Sequence, residues 1–261
     1  MSNTLVEVKI HGAAGTIILN RPDKRNALTR ALIEELEQAF QDLHLERKVR
    51  AVVLTGAGSA FCAGMDLHEM RETAESENPQ QRWAEDARQY RDLLTTMLYF
   101  PKPIIAAVNG PAVAGGAGLV LASDIVLGAA EARFGLPEPR RGIVAGIVSP
   151  LLAFRIAAGQ AARLLLNPTL IDGQEAYRIG IYHELVASHQ LWVRAMEVAS
   201  ECAQGAPEAL QLTKGMLAET IGERLLTQLS AGAAASATAR TTEAAQEGLT
   251  AFLEKRDPQW L

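Results

Sequence analysis

The sequence has little cysteine, few aromatics and no excess of positive charge, and each shortage excludes something. Two cysteines, Cys62 and Cys202, cannot build a disulfide framework or a structural zinc site. The net charge of −5 leaves no basic footprint for nucleic acid or an anionic bilayer. Only 5% of the residues are aromatic, whereas 44 are alanine and 21 glycine, so a quarter of the chain is very small side chains. With 48% hydrophobic residues in 261, the chain has ample material for a core and is not a disordered one. Met1 to Glu7 shows no basic segment followed by an apolar run, so no secretory signal is expected and the expected location is cytoplasmic. The 21 uncharged residues from Pro103 to Ser123 are long enough to span a bilayer. Their prolines and glycines, however, predict a strand, a turn and a small-residue helix instead.

Familiar chemical motifs are also missing. Gly56-x-Gly58 follows a strand-like run, but Phe61 stands where a dinucleotide fingerprint has its third glycine. There is no Gly-x-Ser-x-Gly elbow and no phosphate-binding Gly-x-x-x-x-Gly-Lys. The five histidines have no ligand spacing, so no metal is expected.

What is present is an alternation of strands and helices. Val6–Ile10 and Thr16–Leu19 read as a hairpin joined by a Gly-containing turn. Leu32, Ile33, Leu36, Phe40 and Leu43 recur at helical spacing behind Thr29, a good N-cap. Ala51–Leu54, Ile104–Val108 and Ile125–Leu127 read as buried strands. Trp83, Ala87, Tyr90, Leu94 and Met97 outline another helix, and the polar residues from Arg71 to Gln81 suggest a mobile loop. From about Ser149 helical patterns dominate, with breaks near Pro168, Gly180, Gly205 and Pro207. The expected architecture is an α/β core over residues 1–195 followed by a helical region over 196–261.

Two segments, 51–66 and 104–118, repeat one design: a buried strand, a loop of very small residues, then a helix start. Such loops expose main-chain N–H groups, and a helix start favours negative charge. Two of them converging would make an oxyanion hole from backbone alone, unless the small residues serve only close packing.

Six motifs in register now carry a resemblance. They are Asn20 to Leu28 (NRPDKRNAL), Leu54 to Leu67 (LTGAGSAFCAGMDL), Pro103 to Gly110 (PIIAAVNG), Ala114 to Leu119 (AGGAGL), Ser123-Asp124-Ile125, and Phe134 to Glu138 (FGLPE). Over about residues 5 to 190 the chain resembles the crotonase (enoyl-CoA hydratase/isomerase) family, and the ending Phe252 to Arg256 is similar too. The resemblance implies a spiral of ββα units with a helical C-terminal oligomerisation region that builds homotrimers or hexamers. It also implies an acyl-CoA thioester as substrate, with coenzyme A entering as part of that substrate and no separate cofactor. By position, the N–H groups of Met65 and Gly115 would hold the thioester oxygen. Lys24, Arg25, Ala27, Ala63, Asp66 and Leu67 fall on segments that line the family's CoA site. Cations there suit the CoA phosphates.

The resemblance breaks at one carboxylate. Hydratases of the family typically carry two glutamates. Glu138 matches the second, but Gly118 stands where the first is expected, and the turn after Glu138 is altered to Ala145-Gly146-Ile147-Val148-Ser149-Pro150. A single carboxylate can still take a proton from beside a thioester and return it elsewhere, moving a double bond. The implied activity is therefore enoyl-CoA hydration or isomerisation with Glu138 as acid/base, with Glu69 a further candidate carboxylate. Its rivals are a catalytically silent acyl-CoA-binding protein and another CoA-thioester lyase, decarboxylase or hydrolase on the same fold. Trp83, Tyr90 and Met97 are expected to shape the acyl pocket.

Overall fold

The computed structural model describes residues 4–218 and 224–260. The chain opens with the expected hairpin, β1 (Val6–His11) and β2 (Ala14–Leu19), paired antiparallel about a two-residue turn. Gly12, with φ +60°, allows that tight turn. The remaining pairings of the main sheet are parallel. β3 (Ala51–Gly56), β4 (Ile104–Val108), β6 (Ile125–Ala129) and β9 (Glu184–Val186) follow in the order β1-β2-β3-β4-β6-β9. Parallel neighbours need crossovers, and helices supply them. Strands β3 and β4 are almost wholly buried, which is why they read as unbroken apolar runs rather than alternating ones. A second sheet of three short strands joins β5 (Ala112–Val113), β7 (Arg133–Gly135) and β8 (Ile171–Asp172).

Helix α1 (Arg30–Leu45) begins at the expected cap, where the Thr29 side chain accepts from the Leu32 amide at 3.1 Å. Its periodic residues, Leu32, Ile33, Leu36, Phe40 and Leu43, are all buried. The segment expected as a mobile loop is different. Asp66 caps α2 (Leu67–Ala74), and α3 (Pro79–Tyr99) starts only five residues later. The polar composition misleads because this region is held by polar anchors. Arg30 donates to both carboxylate oxygens of buried Asp86, at 2.6 and 2.8 Å, and to the Thr73 hydroxyl at 2.6 Å, tying α1, α2 and α3 together.

The uncharged 103–123 stretch divides into β4, β5 and α4 (Gly115–Ala122), every residue of which is buried. No helix among the described residues is long and apolar enough to cross a membrane. Helices α5 (Val148–Arg155), α6 (Ala158–Leu166), α7 (Gly173–Arg178), α8 (Leu191–Cys202) and α9 (Pro207–Met216) follow, broken close to the expected glycines and prolines. Helix α8 runs across residues 195 and 196 and packs on β2, β3, β4 and β6. The alanine-rich end forms α10 (Leu225–Ala239), then breaks before α11 (Glu243–Glu254). Small residues in α10 permit close packing within the chain: a Cβ on Gly232 would lie 2.1 Å from the Gly146 carbonyl oxygen.

Candidate active site

The two small-residue loops meet. Cys62 and Ala112 form a parallel bridge, in which the Cys62 amide donates to the Pro111 carbonyl at 3.1 Å and the Val113 amide donates to the Cys62 carbonyl at 2.9 Å. The backbones approach so closely that side chains are excluded. A Cβ on Gly116 would lie 2.2 Å from the Cys62 carbonyl oxygen. Gly64, at φ +90°, faces the turn at 113–115 just as closely, since a Cβ there would sit 2.8 Å from Ala114 Cβ. Ala114 itself is held at φ 53° and ψ −119°, a strained conformation for a residue with a side chain, immediately before α4. The small-residue surplus in these loops is therefore a requirement of backbone-on-backbone packing, and that packing brings Met65 beside Gly115. A Cβ on Gly115 would be 3.6 Å from the Met65 nitrogen.

Asparagines pin this junction. Buried Asn26 donates through Nδ2 to the carbonyls of Ala57 (3.0 Å), Ala60 (2.9 Å) and Phe61 (3.2 Å), while its Oδ1 accepts from the Arg21 amide at 2.9 Å. Asn109 accepts from the Gly56 amide at 3.1 Å and donates to the Gly58 carbonyl at 3.1 Å. Neither stood out in the sequence, because their targets are main-chain groups far along the chain.

Met65, Gly115 and Glu138 line one inner cavity of about 60 Å³. Glu138 is 6% exposed, and its Oε2 is buried without a hydrogen-bond partner among the described residues. Burial raises its pKa to about 7, against smaller lowering effects from its own backbone amide and the Arg141 charge. No ion pair joins it to Arg140 or Arg141 among the described residues, and its Oε2 is open to another partner. Glu138 is the one acid on the cavity wall among those residues. Glu69 does not join it. Its Oε2 accepts from the Arg30 amide at 3.1 Å, and it supports the start of α1 rather than lining the cavity.

The space that a glutamate at 118 would need is occupied. The Tyr90 hydroxyl reaches over Gly118 and donates to the Gly115 carbonyl at 2.5 Å. Burial pushes the Tyr90 pKa well above its ordinary value, and the neighbouring acidic groups Cys62 and Glu138 act in the same direction, so the phenol stays neutral. Tyr90 lines the cavity as expected of a pocket residue, Trp83 lines a small adjoining cavity, and Met97 is buried in the core away from both.

The inner cavity continues outward into a groove of about 1110 Å³, the two sharing Ala63, Met65, Leu67 and Arg141. Lys24, Arg25, Ala27, Ala63, Asp66 and Leu67 all line this groove. Its cations, Lys24, Arg25, Arg133, Arg140, Arg141 and Arg256, outnumber its acids, Asp23 and Asp66. Asp66 has a structural duty as well: it accepts from the His68 amide at 3.0 Å and pairs with Arg21 at 3.0 Å. Burial opposes its charge, but Arg21 and the amides of Glu69 and His68 outweigh this and lower its pKa.

An α/β spiral with two converging glycine turns, a buried glutamate and a cationic groove defines a class, and comparison with known proteins names it. The model of the enoyl-CoA hydratase/isomerase family matches residues 9–261. A Thermus thermophilus protein named "Putative enoyl-CoA hydratase" is 40% identical over 258 residues, covering 95% of this chain and 98% of that protein. The 2,3-dehydroadipyl-CoA hydratase of Escherichia coli is 33% identical over 250 residues, with 94% and 93% covered. The crystal structure of an enoyl-CoA hydratase from Mycobacterium avium superposes with a TM-score of 0.88 at 31% identity, covering 99% of this chain and 100% of that one. The chain belongs to the enoyl-CoA hydratase/isomerase, or crotonase, family.

Proposed function

We propose that this protein moves the double bond of an enoyl-CoA thioester, using Glu138 as the single proton shuttle. The observation that carries the reading is the free Oε2 of a buried glutamate facing the same cavity as the Met65 and Gly115 main chain. The CoA portion lies in the outer groove, its phosphates near Lys24 and Arg25. The acyl portion enters the inner cavity past Ala63 and Leu67. There the N–H groups of Met65 and Gly115 take the thioester oxygen. Glu138 as carboxylate removes a proton from the carbon next to the thioester of a 3-enoyl-CoA. The C–H electron pair becomes part of a dienolate, whose oxygen charge the two amides stabilise; one such donor is typically worth about 3–4 kcal/mol of barrier. Glu138, now protonated, returns the proton to the vinylogous carbon, giving the 2-enoyl-CoA and regenerating the carboxylate. A pKa near neutrality suits both halves of that exchange.

Hydration is the second reading, favoured by the hydratase names of the relatives from Escherichia coli and Clostridium acetobutylicum. In it Glu138 would both deprotonate a water and protonate the substrate, without the second carboxylate. Incubating the protein with a 2-enoyl-CoA and a 3-enoyl-CoA and following the products separates the two. Double-bond migration at a rate well above any hydration is the expected result. If the Glu138→Gln variant matches wild type on both substrates, the role given to Glu138 is wrong.

A further inference from the structure

The inner cavity has a feature that neither proton transfer nor the oxyanion contacts use. Arg240 follows the last residue of α10, is 8% exposed, and lines the cavity together with Ser236, one helical turn earlier. Its Nε and Nη1 are buried without a hydrogen-bond partner among the described residues. The formal charges acting on it come from Asp86 and Arg30. Those two groups act on Arg240 in opposite directions and are already bound to each other through both Asp86 oxygens, so neither gives it a hydrogen-bonded counter-charge among the described residues. The dipole at the C-terminus of α10 favours a cation there, but it leaves those N–H groups unsatisfied. Burying an unpaired guanidinium is far more costly than burying an ordinary packing residue in its place.

The neighbouring groups repeat the pattern. Nε of Arg141 and Nε1 of Trp83 are likewise buried without partners among the described residues. Arg141 and Arg240 both line the inner cavity and also the small cavity adjoining it, which Trp83 closes. All three side chains are donors, and none has acceptor capacity to offer the others. Among the described residues Glu138 is the one acid on the wall, and it is engaged in the chemistry. A water could accept from one of these groups, but it would leave the charge uncompensated. The planar fork of a guanidinium matches a carboxylate, and about 60 Å³ holds only a handful of waters, hence a short acyl group.

We propose that the substrate is a short acyl-CoA thioester whose chain ends in a carboxylate, and that Arg240 is the residue that recognises this terminal group, with Arg141 beside it. This rests on the acyl-CoA reading above and specifies which acyl-CoA. The CoA phosphates are held elsewhere, near Lys24 and Arg25 in the outer groove, which do not line the inner cavity, so the two anionic ends of one ligand meet different cations.

The test uses saturated thioesters, which bind without reacting. Dissociation constants are measured by calorimetry for glutaryl-CoA and adipyl-CoA and for their terminal methyl esters. One acid of the pair is expected to bind about 10- to 100-fold tighter than its ester, the range for a hydrogen-bonded charge. The acid-to-ester ratio should collapse toward one in Arg240→Met and fall partway in Arg240→Lys, which keeps the charge but not the fork. A ratio near one for both chain lengths in wild type overturns the proposal, and this arm needs no variant to fold. A ratio retained in Arg240→Met overturns the assignment to Arg240. Turnover of a neutral enoyl-CoA alongside a ratio near one would leave the proposed reaction standing and remove only this inference. A clear acid preference with no turnover of any enoyl-CoA would do the reverse. Failure of every thioester to bind would remove both.

Discussion

The hydroxyl of Tyr90 lies 2.0 Å from where a Cβ on Gly118 would be, so the two residues share one site in complementary sizes. The missing carboxylate is thus not an empty place awaiting a side chain. Gly118→Ala is expected to cost about 1–3 kcal/mol of stability, the usual range for overpacking a full core. Tyr90→Phe removes the hydroxyl and leaves two tight contacts, the ring carbon and Val148 Cγ2, each 3.2 Å away, so the Tyr90→Phe/Gly118→Ala double variant should recover part of the loss. Denaturant titration of the four proteins measures the coupling. Additive losses would mean that the two residues do not compete for space. For the same reason Gly118→Glu alone should not confer hydratase activity, whereas Gly118→Glu with Tyr90→Ala has room for the carboxylate.

Glu138 makes stability depend on pH in a definite direction. Below about pH 4.5 the carboxyl is protonated in both the folded and the unfolded chain and contributes no difference. Between about 4.5 and 7 the unfolded chain ionises while the buried group keeps its proton, so stability falls as pH rises. Above about 7 the loss levels off near 3 kcal/mol. Glu138→Gln should therefore match wild type near pH 4 and exceed it by up to about 3 kcal/mol at pH 8, while losing activity. Thermal or denaturant unfolding at the two pH values checks this. A stability difference independent of pH would show that the buried carboxyl is not the cause.

Most of the frame could be read from the sequence, because the elements involved are set by local pattern. The buried run of β4 and the apolar stripe of α1 each depend on residues within one element. The two strand–loop–helix repeats are local patterns as well, whereas Met65 and Gly115 within them are singled out only by the resemblance to the family. The reading failed where distant polar partners decide. Arg71 to Gln81 looked like a loop because its helices depend on Arg30, some 40 residues upstream, meeting Thr73 and Asp86. Gly118 looked like a vacancy because nothing local says that α3 lays Tyr90 across α4. Arg240 carries no signal in the sequence, since only the fold buries it and leaves its Nε and Nη1 without partners among the described residues.

The cationic rim of the groove predicts a binding effect without a chemical one. Lys24 and Arg25 are exposed and make no ion pair among the described residues, so they are available to an anion. Replacing both by glutamine should raise KM for a CoA thioester several-fold, in line with weak exposed ion pairs, and leave kcat nearly unchanged. The KM difference between variant and wild type should shrink as salt rises, since exposed charges are screened. Steady-state kinetics at low and high ionic strength read both effects. A fall in kcat with KM unchanged would place these residues outside CoA binding.

Asn26 offers the sharpest test of how the loop holding Met65 is built. Its side chain satisfies three carbonyls and one amide, and its φ of 56° lies in the left-handed region that disfavours most side chains. Asn26→Ala leaves those buried groups unpaired and keeps the strain, so about 3 kcal/mol or more should be lost. Asn26→Gly loses the same hydrogen bonds but relieves the backbone, and should be about 1 kcal/mol more stable than the alanine variant. Because the freed carbonyls belong to Ala57, Ala60 and Phe61, the slack falls on the loop that sets Met65 against Gly115. At temperatures where both variants remain folded, kcat should drop in both, and by similar factors, since the lost hydrogen bonds are the same. Stability lost without any change in kcat would mean that Met65 is positioned by its bridge to Leu28 alone, independently of Asn26.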